Sequence, residues 1–283
     1  MNSEAMIENN FKVGVIGQGF VGNALFQKFK NYFEIYTYDL NPKLSNSNMN
    51  FIYENCSVIF ICLPTPMNHD GSCNLSLVES EIEKINNNSK SIVVVKSSVI
   101  PGTIKDLNNK YKNIQIVFNP EFLTERNAIE DFNNQNRIIL GGPRPATTKL
   151  KQLYSKVFPK AHIIKTGSTH AELVKYFTNC FLASKVSFAN EMYELANALN
   201  LDYDKVVEYA ILDERLGFSH WAVPGPDGDI GFGGHCFPKD LSAIINLSEK
   251  LKTTNNVLKS VKKTNDKLRK NRDWEKMKGR AIT

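Results

Sequence analysis

The first half of the chain alternates short β-branched or aromatic runs with amphipathic segments. Strands that are buried on both faces of a parallel sheet give continuous apolar runs of this kind. The pattern predicts an α/β domain over residues 1–166, built on a doubly wound and largely parallel sheet. The expected strands are Lys12–Ile16, Glu34–Tyr38, Val58–Cys62, Ile92–Lys96, Gln115–Phe118, Arg137–Leu140 and Ala161–Lys165.

The second half places apolar residues at helical spacing. Ala171–Leu199 contains neither Pro nor Gly and predicts one long helix, followed by a Gly- and Pro-rich loop over 217–234. Shorter helices are expected at Asp202–Leu212, Lys239–Leu251 and Asn256–Arg272. We therefore predict an all-helical domain over 167–283. Because apolar side chains occupy several sides of the long helix, we expect it to be buried all round, as in a homodimer.

Composition and charge narrow the possible partners. With 42% hydrophobic and 23% charged residues, the chain has the composition of an ordinary globular protein. The formal charge of +6 comes largely from the C-terminal residues Lys259, Lys262, Lys263, Arg269, Lys270 and Arg280. No aromatic interleaving accompanies these charges, so we interpret them as a solvated helix face and expect no nucleic-acid partner.

The cysteines and the hydropathy pattern indicate the compartment. Cysteines at positions 56, 62, 73, 180 and 236 form no CxxC pair, so neither a disulfide framework nor a metal site is expected. The segment Met1–Asn10 is polar, and no apolar run approaches ~18 residues. The sequence therefore predicts a cytoplasmic protein with reduced thiols and no membrane association.

A GxGxxG motif follows the first predicted strand. Gly17 permits the tight turn, Gly19 lets the backbone approach a pyrophosphate, and Gly22 allows close packing of helix on strand. An acid ends the second strand about 20 residues later, where it can accept the ribose hydroxyls. This arrangement is typical of a Rossmann-type domain. The candidate cofactor contacts are Gly17, Gln18, Gly19, Phe20, Val21, Gly22 and Asp39.

The acid at position 39 also bears on the choice of cofactor. A carboxylate there would repel the 2′-phosphate of NADP, and no Arg follows Asp39 directly. NAD is therefore the expected cofactor.

A second motif places a thiol in a glycine-rich loop. Cys236 follows Gly-Phe-Gly-Gly-His and precedes a predicted helix, with Pro238 suited to the first turn. A thiol at a helix N-terminus beside Lys239 should have increased thiolate character. The glycines are expected to leave room for a substrate, and Asp240 lies within one turn as a possible base.

Two further clusters combine acids, amides and a lysine. Glu121 and Glu125 follow a strand at the sheet edge where open α/β folds bind ligands. On the long helix, Glu172, Lys175 and Asn179 share one face. Taken alone, each cluster is more typical of a solvated surface than of a site, because charged residues at i,i+4 are common on helices.

Together these segments resemble the UDP-glucose/GDP-mannose dehydrogenase family over nearly the whole chain. The matching segments, in order, are VGVIGQGFVG, CLPTP, KSSVIPGT, NPEFLTE, AELVKYFTNCFLASKVSFANE, LDERLG and GFGGHCFPKD. The resemblance implies an NAD-dependent enzyme that oxidises the C6 primary alcohol of a nucleotide sugar, such as UDP-glucose, to a carboxylate. Two NAD are used, and the intermediates are a thiohemiacetal and a thioester on Cys236.

The resemblance also implies roles for individual residues. Lys175 and Asn179 would stabilise the oxyanion, and Asp240, with Ser98, would handle the first proton. Glu121 or Glu125 would activate the hydrolytic water. Further implied contacts to NAD are Leu63, Thr65, Ser97 and Lys239. Implied contacts to the substrate are Phe122, Leu123, Arg215, Gly231 and Phe237, with Arg215 reaching the substrate of a neighbouring subunit and the loop Gly228–Gly231 lining the sugar pocket.

Three departures from the family pattern leave the substrate open. Ser98 stands where threonine is usual, and the stretch after Trp221 is longer than its counterpart. Typical members also continue beyond the position of Thr283 with a second Rossmann-like domain that holds the nucleotide, so this chain is expected to lack it. A single-step 3-hydroxyacid-type dehydrogenase, or a non-catalytic NAD-binding remnant, are the alternative functions.

Overall fold

A seven-stranded sheet organises the first part of the chain. The computed structural model describes residues 11–283, so the polar segment Met1–Asn10 lies outside the described residues. The strands are β1 (Lys12–Ile16), β2 (Glu34–Tyr38), β3 (Val58–Ile61), β4 (Ile92–Val95), β5 (Gln115–Phe118), β6 (Arg137–Gly141) and β7 (His162–Thr166). Each lies within about a residue of its predicted position. The central strands β3 and β4 are buried along their whole length, as continuous apolar runs predict, whereas the edge strands β2 and β7 are more exposed.

The strand order is β2-β1-β3-β4-β5-β6-β7. Strands β1 to β5 are mutually parallel, whereas β6 pairs antiparallel with β5 and parallel with β7. The sheet is therefore largely parallel, as predicted, with two reversed strands at one edge. The chain passes from β1 to β2 on one side of the sheet and from β3 to β4 on the other side. The carboxyl ends of β1 and β3 therefore form the switch point at which such folds bind ligands.

Within residues 11–175, six α-helices cover the two faces of the sheet. They are α1 (Phe20–Phe29), α2 (Met49–Asn55), α3 (Ser76–Asn88), α4 (Thr103–Lys110), α5 (Ala128–Asn133) and α6 (Arg144–Val157). Residues of α1, α5 and α6 pack into one apolar layer, and residues of α2, α3 and α4 pack into the other. This confirms the doubly wound α/β class.

The remaining helices are α7 (Ser168–Ala198), α8 (Tyr203–Ala210), α9 (Phe237–Lys250) and α10 (Asn256–Leu268). Helix α10 ends earlier than the predicted Arg272, because Arg269 adopts an extended conformation, and a 3₁₀ turn follows at Asp273–Lys276. Among the described residues, no helix is both long and apolar enough to cross a bilayer.

Internal contacts divide the chain into two units. Unit 1 contains the sheet and its helices and ends at Lys175, while unit 2 contains Thr65–Asn74 and everything from Tyr176 onward. The sequence placed the boundary before α7. The difference arises because the first turns of α7 pack with unit 1, where Ala171 and Val174 join the apolar layer of α2, α3 and α4.

Helix α7 is only partly covered in the single chain. Tyr176, Cys180 and Ala183 are buried. By contrast, Phe177 is 72% exposed and Phe181 is 61% exposed. The expectation that this helix is buried all round is therefore not met within one chain, because the apolar stripe that includes these two phenylalanines is left without cover.

Candidate active site

The glycine-rich turn of unit 1 has the form that the motif predicts. Gly17 has φ +91°, a conformation that favours glycine. A Cβ on Gly22 would lie 1.9 Å from the carbonyl oxygen of Gly17, so this position packs helix α1 against the turn. A Cβ on Gly19 would have open space around it. Gly19 is therefore the position at which a ligand can approach the backbone.

Donors are available at this turn. The side chain of Gln18 is buried, and its Nε2 has no hydrogen-bond partner within the described part of the chain. No side chain caps the start of α1 at Gly19, and a helix N-terminus presents backbone N–H groups that suit an anion. An orphaned buried amide beside a helix N-terminus and an open glycine fits the phosphates of a dinucleotide.

Asp39 holds this turn from the end of β2. Its carboxylate accepts the N–H of Gln18 at 2.7 Å and the N–H of Asn41 at 2.8 Å. The acid therefore already lies beside the glycine turn, as a ribose-binding carboxylate must.

The ends of β3 and β4 meet at the same edge of the sheet. The Ser97 hydroxyl donates to the Leu63 carbonyl at 2.6 Å, so two of the expected cofactor contacts are brought together. Ser98 follows and is half-buried. Thr65 belongs to unit 2, where it is buried and its hydroxyl interacts with Cys73.

A buried ion pair joins β5 to the first turns of α7. The Lys175 ammonium lies 3.0 Å from Glu121 Oε1 and also donates to the backbone oxygen of Glu121 at 2.6 Å. Their side chains are 4% and 8% exposed. Burial works to raise the pKa of Glu121, but the Lys175 ammonium and the N–H of Leu123 outweigh it and hold that pKa below its ordinary value. Glu121 is therefore ionised at neutral pH.

The neighbours of this pair differ in exposure. The Lys175 ammonium lies 5.5 Å from the ring centroid of Phe122, whose face also receives Arg137. Glu125 is exposed on the same loop. Glu121 and Glu125 were predicted to have the same candidate role, but they differ in burial. Glu121 is buried against a lysine, whereas Glu125 is exposed.

Glu172 has a different task from Lys175. Its two carboxylate oxygens accept the N–H groups of Gly102 and Ile104, at 2.6 and 2.8 Å. The carboxylate therefore caps the N-terminus of α4. The sequence pattern grouped Glu172 with Lys175 on one helix face, but its role is to satisfy backbone donors that would otherwise be unpaired.

Lys96 is a buried residue of unit 1 that the sequence analysis missed. Its side chain donates to Asn119 Oδ1 at 2.9 Å, and the Tyr154 hydroxyl donates to the same oxygen. Burial lowers the pKa of Lys96 to about 8. The available signal was a lysine directly after the wholly apolar run of β4, where a charged side chain is rarely left without a partner.

Unit 2 carries the candidate nucleophile. Cys236 is half-buried at the N-cap of α9, and Pro238 occupies the first turn, as predicted. Asp240 is fully buried one turn later. Its carboxylate accepts Asn179 Nδ2 at 2.6 Å and pairs with the Lys239 ammonium, which joins the long helix to the thiol-bearing turn.

Lys239 is also buried. Burial works to lower the pKa of Lys239, but Asp240, with Cys236 and Cys73, raises it above its ordinary value. A positive charge is therefore held beside the thiol, which favours the thiolate.

The expected substrate contacts of unit 2 differ in setting. Phe237 packs edge-on against Phe232, with ring centroids 6.0 Å apart. Arg215 has an 87% exposed side chain that pairs with Asp213. It therefore points to solvent in the single chain.

Two of the three glycines before Cys236, Gly231 and Gly233, have a different reason from the one expected, whereas a Cβ on Gly234 would have open space around it. A Cβ on Gly231 would lie 2.5 Å from Asn265 Oδ1, and a Cβ on Gly233 would lie 2.4 Å from Arg269 Nη2. These glycines make room for side chains of this chain. Arg269 is only 3% exposed, so its assignment to a solvated helix face was wrong. The missed signal is the helical spacing of Asn265, Arg269 and Asp273.

Among the described residues, no cluster of three or more His, Cys, Asp or Glu side chains could hold a metal ion.

Comparisons with known proteins match both units. Residues 34–158 match the NAD binding domain of the UDP-glucose/GDP-mannose dehydrogenase family, and residues 169–267 match its central domain. A UDP-glucose dehydrogenase structure from Pyrobaculum islandicum has a TM-score of 0.82 and 30% identity, covering 91% of this chain and 68% of that one.

The chain belongs to the UDP-glucose/GDP-mannose dehydrogenase family. Its cofactor is accordingly NAD, in agreement with the prediction from the glycine turn and Asp39.

Other relatives give the extent of the family match. UDP-glucose 6-dehydrogenase of Rickettsia prowazekii is 35% identical over 221 residues, which is 75% of this chain and 50% of that protein. The chain thus spans about half the length of the curated relatives it matches. A 3-hydroxyisobutyrate dehydrogenase of Mycobacterium tuberculosis has a TM-score of 0.72 at 14% identity, which shows a shared fold alone.

Proposed function

We propose that this chain oxidises the C6 primary alcohol of a nucleotide sugar, UDP-glucose first among them, to a carboxylate. The observation that carries the proposal is the cluster at the start of α9. There a half-buried thiol lies one turn from a buried carboxylate that is held by Asn179 and Lys239. A single alcohol oxidation needs no nucleophilic thiol, whereas oxidation to the acid uses one to hold the aldehyde.

In the first step the alcohol loses its hydroxyl proton and a hydride, giving the aldehyde. Asp240, through water and with Ser98, receives the proton. NAD, bound at the glycine turn, supplies the hydride acceptor in each of the two oxidations. Asp240 suits its role because Asn179 and Lys239 fix its orientation.

In the second step the thiolate of Cys236 adds to the aldehyde carbon, and the carbonyl oxygen becomes the oxyanion of a thiohemiacetal. Lys175 and Asn179, one turn apart on α7, stabilise that oxyanion. Loss of the second hydride converts the thiohemiacetal into a thioester. Water then breaks the C–S bond, which releases the carboxylic acid and regenerates the thiol, with Glu121 as the carboxylate that orients the water.

We also propose a homodimer built on α7. Phe177, Phe181, Phe188 and Leu195 are each at least half exposed and recur along one stripe of this helix. Exposed apolar stripes of this kind mark interaction surfaces, and a two-fold partner covers such a stripe with a copy of itself. Arg215, exposed beside Asp213, would then reach the substrate of the partner.

The test is to count NADH formed per sugar consumed. The protein is incubated with NAD and each of a panel of UDP- and GDP-sugars, with NADH followed by absorbance and the product by mass. Two NADH and a uronic acid are expected from one sugar of the panel. One NADH and an aldehyde would indicate the single-step alternative, and NAD binding without turnover of any sugar would indicate the non-catalytic one.

A further inference from the structure

A buried arginine forms ion pairs with acids from two segments of unit 2. Arg269 Nη2 lies 2.7 Å from Asp227 Oδ2 and 3.3 Å from Asp273 Oδ1, and its Nε donates to the backbone oxygen of Asn271 at 2.9 Å. Asp229 is a third acid, 3.6 Å from Nε. Asp227 and Asp229 belong to the Gly- and Pro-rich loop over 217–234. The guanidinium therefore ties that loop to the segment after α10.

The same cluster binds the backbone of the thiol loop. Asn265 Oδ1 accepts the N–H of Phe232 at 2.7 Å, and Asn265 Nδ2 donates to the Phe232 oxygen at 3.0 Å. Asp273 Oδ2 accepts the N–H of Gly234 at 3.0 Å. Two residues that flank Gly233 are thus held by side chains from α10 and the 3₁₀ turn.

The approach is too close for any residue but glycine. A Cβ on Gly233 would lie 2.4 Å from both Arg269 Nη2 and Asp273 Oδ1. Gly231 and Gly234 have φ values of +74° and +69°. A loop of this composition has many accessible conformations when it is unrestrained. The cluster of Asn265, Arg269 and Asp273 selects one of them.

We propose that Asn265, Arg269 and Asp273 are positioning residues for Cys236. They hold residues 231–234 so that α9 begins at the thiol-bearing residue, which is the N-cap of that helix. None of the three touches a reacting atom; they act through the loop. The inference rests on the proposed function only in taking Cys236 as the nucleophile.

The experiment compares Asp273→Ala, Asp273→Asn and the control Asp266→Ala in the full chain. Asp266 is a nearby acid that pairs with Lys262 and Arg272 and does not bind the loop. Two quantities are measured without substrate or NAD: amide exchange of residues 231–236, and the rate at which iodoacetamide alkylates Cys236 at pH 7, located by peptide mass. Both test the proposal even if no sugar is oxidised.

In Asp273→Ala, amide exchange in the loop should accelerate about tenfold, because the acceptor for Gly234 is gone. Alkylation of Cys236 should slow about fivefold, because the helix N-terminus no longer favours the thiolate. Asp273→Asn keeps an acceptor for Gly234 and should recover most of both effects. Asp266→Ala should change neither.

Two results would overturn the proposal. One is faster loop exchange with unchanged alkylation of Cys236, which would make the cluster structural only. The other is equal effects of Asp273→Ala and Asp266→Ala. If Asp273→Ala does not fold, Arg269→Lys decides by the same two measurements, since it keeps the charge but loses the forked contact.

Discussion

The buried pair of Glu121 and Lys175 allows a quantitative test of the electrostatics in unit 1. We consider Lys175→Met, which keeps a long apolar side chain but removes the ammonium. The Glu121 carboxylate would then keep the N–H of Leu123, at 2.8 Å, as its one partner among the described hydrogen bonds. A buried charge that loses its counter-charge destabilises a protein by about 3–5 kcal/mol.

A second substitution shows how much of the destabilisation of Lys175→Met comes from the unpaired charge of Glu121. Glu121→Gln in the Lys175→Met background removes the uncompensated charge while keeping an acceptor for the N–H of Leu123. We therefore expect Lys175→Met to lower the free energy of unfolding at pH 7 by about 3 kcal/mol, and the double variant to recover at least about half of that loss.

The loss should depend on pH. In the wild type the folded-state pKa of Glu121 is lowered, so its stabilisation is present above the ordinary glutamic acid pKa of about 4.3 and is lost as the pH falls through the lower folded value. In Lys175→Met, burial remains and raises that pKa. The penalty is then largest at neutral pH and disappears as Glu121 takes up a proton. The gap between wild type and Lys175→Met should therefore narrow between pH 7 and pH 4.

Urea unfolding followed by far-UV circular dichroism measures these differences. Trp221 and Trp274, the two tryptophans of the chain, both lie in unit 2, so their fluorescence reports separately on that unit. A gap of equal size at pH 4 and pH 7, or a double variant no more stable than Lys175→Met, would refute the reasoning. Either result would mean that the charge of Glu121 is not what the lysine stabilises.

Three further outcomes follow from the site. Cys236→Ser should bind NAD normally but lower the rate of acid formation about a thousandfold or more, because an alkoxide is far scarcer than a thiolate. The control is Cys180→Ala, at a buried thiol whose pKa burial raises to about 12. Full acid formation by Cys236→Ser would exclude the covalent route. The ratio of kcat/KM for NAD over NADP should be about a hundred or more, and Asp39→Ser should reduce it; equal values with both cofactors would show that the acid does not meet the ribose. Phe177→Glu should lower the molar mass measured by light scattering from that of a dimer to that of a monomer. Leu251→Glu, at another exposed apolar position, should leave the molar mass unchanged. A wild-type monomer with full specific activity at nanomolar concentration would contradict the dimer.

Local patterns were sufficient to predict the seven strands and the four helices of the second half of this protein. Val93, Val94 and Val95 are all fully buried, so their unbroken apolar run correctly indicated a central strand. Gly17, Gly19 and Gly22 are spaced by the requirements of one turn, and Pro238 and Cys236 by those of one helix start. Such features depend on neighbours within a few residues, which is why the sequence alone determined them.

The partners of the buried polar groups were decided only by the tertiary structure. Glu172 caps α4 from 70 residues away. Lys96 binds Asn119 at the end of the neighbouring strand, and Asp273 reaches Gly234 from 39 residues further along the chain. A buried charge or backbone donor must find a partner, but many side chains in a sequence could serve. Which one does so depends on how the elements pack, and that packing is a property of the whole chain.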